Sequence, residues 1–330
     1  MVIGESLLPE GGLRRPTRNL ISIIVSSYTD GRLDDIRHLL RSLAVQANQN
    51  FEVVYITEGS MRLNALVKSI MNSLGLPGKV IHNQGTPGLA QARNLGTANA
   101  SGAILAYVDD DVVLSKGWTE AVESIFKSSS RIVGVTGPAH PDCGDNKLSW
   151  FPEELDWLIG CTRWFKSNIP VEVRNCWGMN MAFRKDALQE TGLFSPDTGF
   201  IAGHEKGRIG EDVEFSLRMR AATGGRLYYI PGALVYTRVH SYRLNDRFVI
   251  ERSRWIGQTR RSILQYERGR LRSGHSKETR LLMSLPGIFL SSNGLPGRVL
   301  PTLLKRAKLL ILVLYSLGIG YAFGSLVTSE

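Results

Sequence analysis

"AILAYVDDDVVL" (residues 103–114) runs an apolar segment into three consecutive carboxylates, Asp109, Asp110 and Asp111, and then turns apolar again. An uncharged run bounded by acids reads as a strand buried on both faces that ends abruptly at a polar edge. The upstream sequence repeats the theme. "LISIIVSSY" (20–28), "FEVVYITEGS" (51–60) and "KVIHNQ" (79–84) are strand-like, and "DDIRHLLRSLAVQ" (34–46), "MRLNALVKSIMNSLG" (61–75) and "GLAQARNLGTANA" (88–100) are helical between them. Such alternation predicts an α/β chain built on a mostly parallel sheet flanked by helices. In sheets of this kind ligands sit beyond the carboxyl ends of the strands. The ends at Tyr28-Thr29-Asp30, Thr57-Glu58-Gly59 and Asp109 to Asp111 therefore share one edge.

Three adjacent carboxylates oppose one another's ionisation unless a cation lies among them. A hard divalent ion such as Mg2+ or Mn2+, which keeps positions for waters and substrate phosphates, is one answer. A solvated acidic turn is the other.

Composition narrows the class. With 43% hydrophobic residues in 330, the chain buries a full core, which excludes a disordered or collagen-like protein. Cys143, Cys161 and Cys176 include no CxxC pair, so neither a disulfide framework nor a zinc knuckle is indicated. The formal charge of +10 is concentrated late, with sixteen Lys and Arg against five acids from Thr237 onward. A basic tail suits phosphates, whether of lipid headgroups, nucleic acid or a diphosphate substrate. No apolar leader precedes the first strand. The run "LLILVLYSLGIGYAFGSLV" (309–327), preceded by Lys305, Arg306 and Lys308, is long enough to span a bilayer. Lying in the membrane interface or packing on the protein are the alternatives, and "LLMSLPGIFL" (281–290) permits the former.

The motifs "ISIIVSSY", "FEVVYITEGS" and "GLAQARNLGTANASGAILAYVDDDVVLSKGW", followed by "NCWGMNMAFRKDALQETGLF" (175–194) and "GEDVEFSLRMRAATGGRLYYIPGALVYTRVH" (210–240), occur in one order. Together they resemble family 2 glycosyltransferases, inverting enzymes of the Rossmann-like GT-A fold, over roughly residues 20–262. The resemblance implies a flexible N-terminus (1–19), a nucleotide-sugar-binding half (20–137), an acceptor-binding and catalytic half (138–262) and a basic helical, membrane-associated tail (263–330). It places Ser27, Tyr28, Glu58, Arg93, Asp109, Asp110 and Asp111 in the donor site. In this reading Glu58 accepts from the base or ribose, Arg93 lies beside the diphosphate, Asp110 points towards the ribose, and Asp109 and Asp111 form a D-x-D pair whose Asp111 binds the metal. Asp212 is the matching base, with Glu211 beside it, although an acid ahead of "VEFSLRMRAA" also reads as a helix N-cap. Trp177, Gly178 and Asn180 fall on the acceptor wall, where Trp177 either stacks on a sugar or packs in the core. Many relatives carry His directly after the tyrosine of "VY"; here Thr237 takes that place, and His240 is the alternative metal ligand. Arg252, Arg254 and Trp255 are candidates for diphosphate or lipid-phosphate contacts.

The implied function is a metal-dependent hexosyltransferase at the cytoplasmic face of the cell membrane. It would move a sugar from a nucleotide-sugar donor to a lipid-linked or surface-glycan acceptor, with Mn2+ or Mg2+ as cofactor and membrane lipids as partners. A nucleic-acid-binding protein using the basic C-terminal region is the alternative, but no RNP, zinc-finger or helix-turn-helix signature accompanies the charge. A nucleotidyltransferase or NTPase is disfavoured because the chain has no Walker-type glycine loop.

Overall fold

The computed structural model describes residues 17–143, 148–196, 210–267 and 299–323. These divide into two compact units: residues up to Ala139 with Ser167–Thr237, and His140–Lys166 with the chain from Arg238 onward.

The first unit opens with β1 (Thr17–Ser27), α1 (Leu33–Ala44), β2 (Phe51–Thr57), α2 (Met61–Ser73), β3 (Gly78–His82), α3 (Leu89–Asn99) and β4 (Gly102–Asp109). Then come β5 (Val112–Leu114), α4 (Trp118–Ser128) and β6 (Ile132–Thr136), and β7 (Ala139–Asp142) carries the chain out of the unit. It returns with β8 (Val171–Val173), β9 (Asn180–Arg184), α5 (Ala187–Thr191), α6 (Glu211–Thr223), β10 (Arg226–Tyr229) and β11 (Val235–Arg238). Eight strands form one sheet in the order β3-β2-β1-β4-β9-β6-β10-β8. The four on the β3 side run parallel, whereas β9 is antiparallel to both β4 and β6, and β8 is antiparallel to β10. The GT-A architecture expected from the sequence is thus present, with a mixed rather than purely parallel second half. A separate short ladder pairs β5 antiparallel with β11, setting Thr237 opposite Val112.

Alternate residues of the central strands feed two cores, as the period-2 geometry of a strand requires. Ile21, Ile23 and Val25 face the layer built by Ile36, Leu39 and Leu40 of α1, Leu63 and Val67 of α2, and Trp118 and Phe126 of α4. Ile24 and Tyr107 face the opposite layer, made by Ala90 and Ala92 of α3 with Phe215 and Met219 of α6. Each fully buried aliphatic contributes about 1.5–3 kcal/mol, so the sheet centre is the stable frame on which the site rests. Helix α3 lies unusually close to β1: a Cβ on Gly96 would sit 2.4 Å from Ile24 Cγ2. Tyr107 fixes its height, since Thr97 Oγ1 donates to the Arg93 carbonyl at 2.8 Å and Tyr107 Oη must then donate to Thr97 Oγ1 at 2.7 Å.

The sequence of the second unit builds a helical body. Its core joins Leu155, Leu158 and Ile159 to Val239 and Val249, and to Leu309, Leu310 and Val313. Two long helices, α7 (Asp246–Glu267) and α8 (Val299–Phe323), pack through small residues four apart on each: Ser253 and Gly257, Ser316 and Gly320. A Cβ at Gly320 would lie 2.1 Å from the Arg254 carbonyl oxygen and one at Gly257 2.4 Å from that of Leu317, so only glycine lets the two backbones meet. Of the expected tail, residues 268–298, which include 281–290, and residues 324–330 lie outside the described residues. Among the described residues no helix is long and apolar enough to cross a membrane.

Candidate active site

The chain order reverses between β1 and β4, neighbours in the sheet but separated in sequence by the β2–β3 excursion, and a crevice opens at such a switch point. Ser26 pairs with Asp109 there, and the Glu58 N–H donates to the Ser27 carbonyl at 2.8 Å, so the three strand ends singled out by the sequence do converge.

Their side chains divide into groups that build the edge and groups that face outward. Ser27 Oγ donates to Asp110 Oδ2 at 2.6 Å, and with its proton so committed it accepts from Tyr55 Oη at 2.7 Å. Arg32 Nη1 donates to Asp110 Oδ1 at 3.1 Å and stands 3.7 Å from Asp111 Oδ2. Both oxygens of Asp110 are therefore held by protein. Burial raises its pKa, the Asp111 charge raises it further, and Arg32 and Ser27 oppose the shift. The electrostatic puzzle of the acidic triplet has a partial answer inside the chain, because the Arg32 guanidinium lies between two of its members. Tyr28 is at the surface, its ring 5.8 Å from the Arg32 guanidinium carbon. Glu58 is buried and organises a loop: Oε1 accepts from Asn83 Nδ2 at 2.7 Å and from the Gly88 N–H at 3.0 Å.

Arg93 links this edge to the second half of the unit. It is 3% exposed, and its Nη1 donates to Glu211 Oε1 at 2.9 Å while Nη2 donates to the Gly178 carbonyl at 2.9 Å and reaches Asp109 Oδ1 at 3.4 Å. The Phe194 ring lies 5.6 Å from its guanidinium carbon. Asn94, next on the helix, exchanges hydrogen bonds with both backbone groups of Phe194 and so sets that ring in place. Burial raises the Glu211 pKa, the Arg93 charge opposes this, and Asp212 and Asp109 add to it.

Asp212 is only half-buried. The Gly178 N–H donates to its Oδ2 and the Val213 N–H to its Oδ1, each at 2.9 Å. The N-cap of α6 is Gly210 in a left-handed conformation (φ 111°), so Asp212 lies in the first turn and does not serve as the cap. The turn Trp177–Asn180, closed by the Asn180 N–H donating to the Trp177 carbonyl, thereby presents one backbone group of Gly178 to Arg93 and the other to Asp212. A Cβ on Gly178 would lie 3.4 Å from both Arg93 Nη2 and Glu211 Oε1, so a side chain there would crowd the cluster.

The other two residues expected on the acceptor wall are internal. Trp177 is buried edge-on against Tyr229, with ring centroids 5.9 Å apart. Asn180 accepts from Trp118 Nε1 at 2.9 Å and donates to the Ala233 carbonyl at 2.7 Å, which leaves its amide engaged in the core beneath Gly178. His240, Arg252, Arg254 and Trp255 belong to the second unit, where the His240 ring stacks on Tyr242, Arg252 and Trp255 are half-buried, and Arg254 is exposed on α7. On β11, Thr237 pairs opposite Val112, the first residue after the acidic triplet; among the described residues its buried Oγ1 has no hydrogen-bond partner. Sequence reading passed over Arg32, Asn83 and Phe194. Arg32 follows β1 in "YTDGR", and nothing in that string separates it from a solvated turn arginine.

Among the described residues no group of three or more His, Cys, Asp or Glu stands ready to enclose a metal. The donors that are present suit a hard cation carried largely by substrate. Mg2+ and Mn2+ take one or two carboxylates plus phosphate oxygens and water, and Asp109 and Asp111 are oxygen donors of that kind.

A sheet with carboxylates at its switch point, joined through a buried arginine to a pair of acids at a helix start, defines a GT-A nucleotide-sugar transferase. The chain belongs to glycosyltransferase family 2, whose family model, "Glycosyl transferase family 2", matches residues 22–192. It is 27% identical over 243 residues to the glucosyl-dolichyl phosphate glucuronosyltransferase of Haloferax volcanii, covering 73% of this chain and 76% of that one. An uncharacterized glycosyltransferase of Haemophilus influenzae is 31% identical over 226 residues, with 68% and 70% covered. Among solved structures, the mannosyltransferase PcManGT from Pyrobaculum calidifontis in complex with GDP-Man and Mn2+ superposes with a TM-score of 0.54 at 16% identity, covering 96% of this chain and 81% of that one. GalNAc-T7 with UDP, GalNAc and Mn2+ gives 0.53 at 16% identity, with 74% of this chain covered, and the match spans about half (51%) of that enzyme. These two show a shared fold.

Proposed function

We propose that this glycosyltransferase moves a sugar, with inversion, from a nucleoside-diphosphate sugar to a lipid-linked or surface-glycan acceptor at the cytoplasmic face of a membrane. The observation that carries the reading is the Arg93 bridge, which sets the Asp109 edge and the Glu211–Asp212 pair in one site.

In that site Asp212 is the base. Two backbone N–H groups orient its carboxylate, and its partial exposure lets an acceptor hydroxyl reach it and give up a proton as the oxygen attacks the sugar. Glu211, tied to Arg93 and buried, holds the guanidinium in place. Asp109 and Asp111 would hold Mn2+ or Mg2+, which when bound neutralises charge on the leaving nucleoside diphosphate. The Asn83–Gly88 loop, fastened by Glu58, borders the same edge and would receive the nucleoside.

The membrane part rests on α8 and on the Haloferax volcanii relative, whose name specifies a dolichyl phosphate. Leu304, Ile311, Tyr315 and Tyr321 are exposed on that helix, beside the exposed Lys305 and Lys308. Apolar side chains flanked by lysines match the boundary between headgroups and acyl chains. Several basic residues are engaged within the unit: Arg306 donates to the Trp150 carbonyl at 3.0 Å, Lys305 lies over the Trp150 ring and Lys308 pairs with Asp246. That weakens the nucleic-acid reading, which drew only on total charge.

A screen of UDP- and GDP-sugars with Mn2+, scored by released nucleoside diphosphate in the presence of polyprenyl-phosphate glycans, is expected to return one preferred donor. Binding to anionic vesicles is expected to fall about tenfold in the Ile311→Glu/Tyr315→Glu double variant, as loss of two inserted apolar groups requires. Turnover of no nucleotide sugar would refute the enzymatic reading, and unchanged vesicle binding would refute the docking role of α8.

A further inference from the structure

The unexpected member of the donor edge is Arg32. It ends the short 3-10 turn Asp30–Arg32 that follows β1, and its side chain is 19% exposed, between solvent and the buried acids. One guanidinium nitrogen serves two carboxylates, at 3.1 Å from Asp110 Oδ1 and 3.7 Å from Asp111 Oδ2. The two Arg32 contacts differ in length. Asp110 is also anchored by Ser27, whereas the Asp111 contact is long. The geometry therefore allows one of the two contacts to be released without dismantling the edge.

We propose that Arg32 is a resident counter-ion that competes with the divalent cation for Asp111, so that metal enters the site together with the nucleotide rather than ahead of it. This rests on the reading of Asp109 and Asp111 as the metal-holding pair.

The physical argument is one of substitution. With Arg32 in place the buried carboxylates are already compensated, and a free aqueous cation must displace a guanidinium from a poorly hydrated pair while giving up its own waters. A nucleoside diphosphate changes both sides of that exchange. Its phosphates supply oxygen ligands to the metal, and they also accept from the guanidinium released from Asp111, the pairing for which a planar fork of donors is suited. Tyr28, already under the guanidinium carbon at 5.8 Å, gives the side chain a second resting surface as it moves. Asp110 stays bound to Ser27 throughout and keeps the strand end closed.

The test measures Mn2+ binding by electron paramagnetic resonance of the free ion, with and without UDP, in the wild type and in Arg32→Met. Arg32→Lys, which keeps a cation but not the forked reach, controls for charge alone, and thermal unfolding confirms that each variant is folded. In the wild type, UDP is expected to strengthen Mn2+ binding by about 100-fold, within the usual range of coupling between sites. In Arg32→Met, Mn2+ alone is expected to bind about tenfold tighter than to the wild type, and the UDP-induced gain to shrink to about tenfold, with Arg32→Lys between the two. If Arg32→Met binds Mn2+ alone no more tightly than the wild type, while the wild type still binds Mn2+ with UDP, the competition is refuted and the metal-holding pair stands. If neither protein binds Mn2+ even with UDP, the metal reading fails and this proposal with it.

Discussion

Asp212→Asn is expected to lower kcat by about 10³-fold, within the range that positioned general bases contribute, while donor binding changes by less than about threefold. The substitution is nearly isosteric, and its amide oxygen still accepts from one of the Gly178 and Val213 N–H groups while the other loses its acceptor. What disappears is the group that takes the acceptor's proton. Glu211→Gln is the instructive companion. Its side chain reaches Arg93 and not the open face, so its effect should fall on the placement of Arg93 and appear in donor affinity as well as in kcat. Steady-state kinetics with separate kcat and KM values check both. Near-wild-type turnover in Asp212→Asn would move the base elsewhere.

The second large effect is on stability. Arg93→Met removes the guanidinium paired with Glu211 and leaves a buried carboxylate facing Asp109 and Asp212 without it, a class of change that typically costs about 3–5 kcal/mol. The pH dependence has a definite sign. Burial already raises the Glu211 pKa with Arg93 present, and without the guanidinium it rises further. A raised acid contributes its full stability below its unfolded pKa and loses it as the pH climbs through the folded value. The variant is therefore expected to approach wild-type stability near pH 4 to 5 and to be most impaired above neutrality. Urea unfolding at pH 5 and pH 8 measures this, and Arg93→Met/Glu211→Gln should recover most of the loss at pH 8 without recovering activity. Equal impairment at both pH values would mean that packing against Phe194 dominates over charge.

The first half of the fold was legible because its strands are continuous apolar runs, such as Ile21 to Val25, separated by single amphipathic helices. Local periodicity therefore names each element and its neighbour. The second half was harder for a physical reason. Strands β8 to β11 have three to five residues each, and β9 finds its place by pairing with β4, some seventy-five residues earlier. The second unit joins residues 140–166 to the chain beyond 238 through a core that no local pattern announces.

Within the site, residue types were legible and partners were not. The sequence marked Asp109 to Asp111 as a charge conflict; it could not show that Arg32, folded back from the end of β1, already relieves part of it. Asp110 and Glu58 were read as groups facing the nucleotide, and Asn180 as acceptor wall; in the structure Asp110 binds Ser27, Glu58 binds the Gly88 N–H, and Asn180 binds the Ala233 carbonyl in the core. The step from Thr237 to His240 was a question of register. In "VYTRVH" the strand pairing runs through Thr237, opposite Val112, and His240 lies beyond the end of β11 at Arg238.

The most direct test of the central claim, that the acidic edge beyond β4 holds a cation gripping a nucleotide sugar's diphosphate, is calorimetric titration of UDP and GDP with and without Mn2+, using wild type and Asp111→Asn. The account predicts that Mn2+ strengthens nucleotide binding to the wild type by at least about tenfold and that Asp111→Asn loses this gain while remaining folded. Nucleotide affinity that is the same with and without Mn2+, or a gain fully retained in Asp111→Asn, would contradict it.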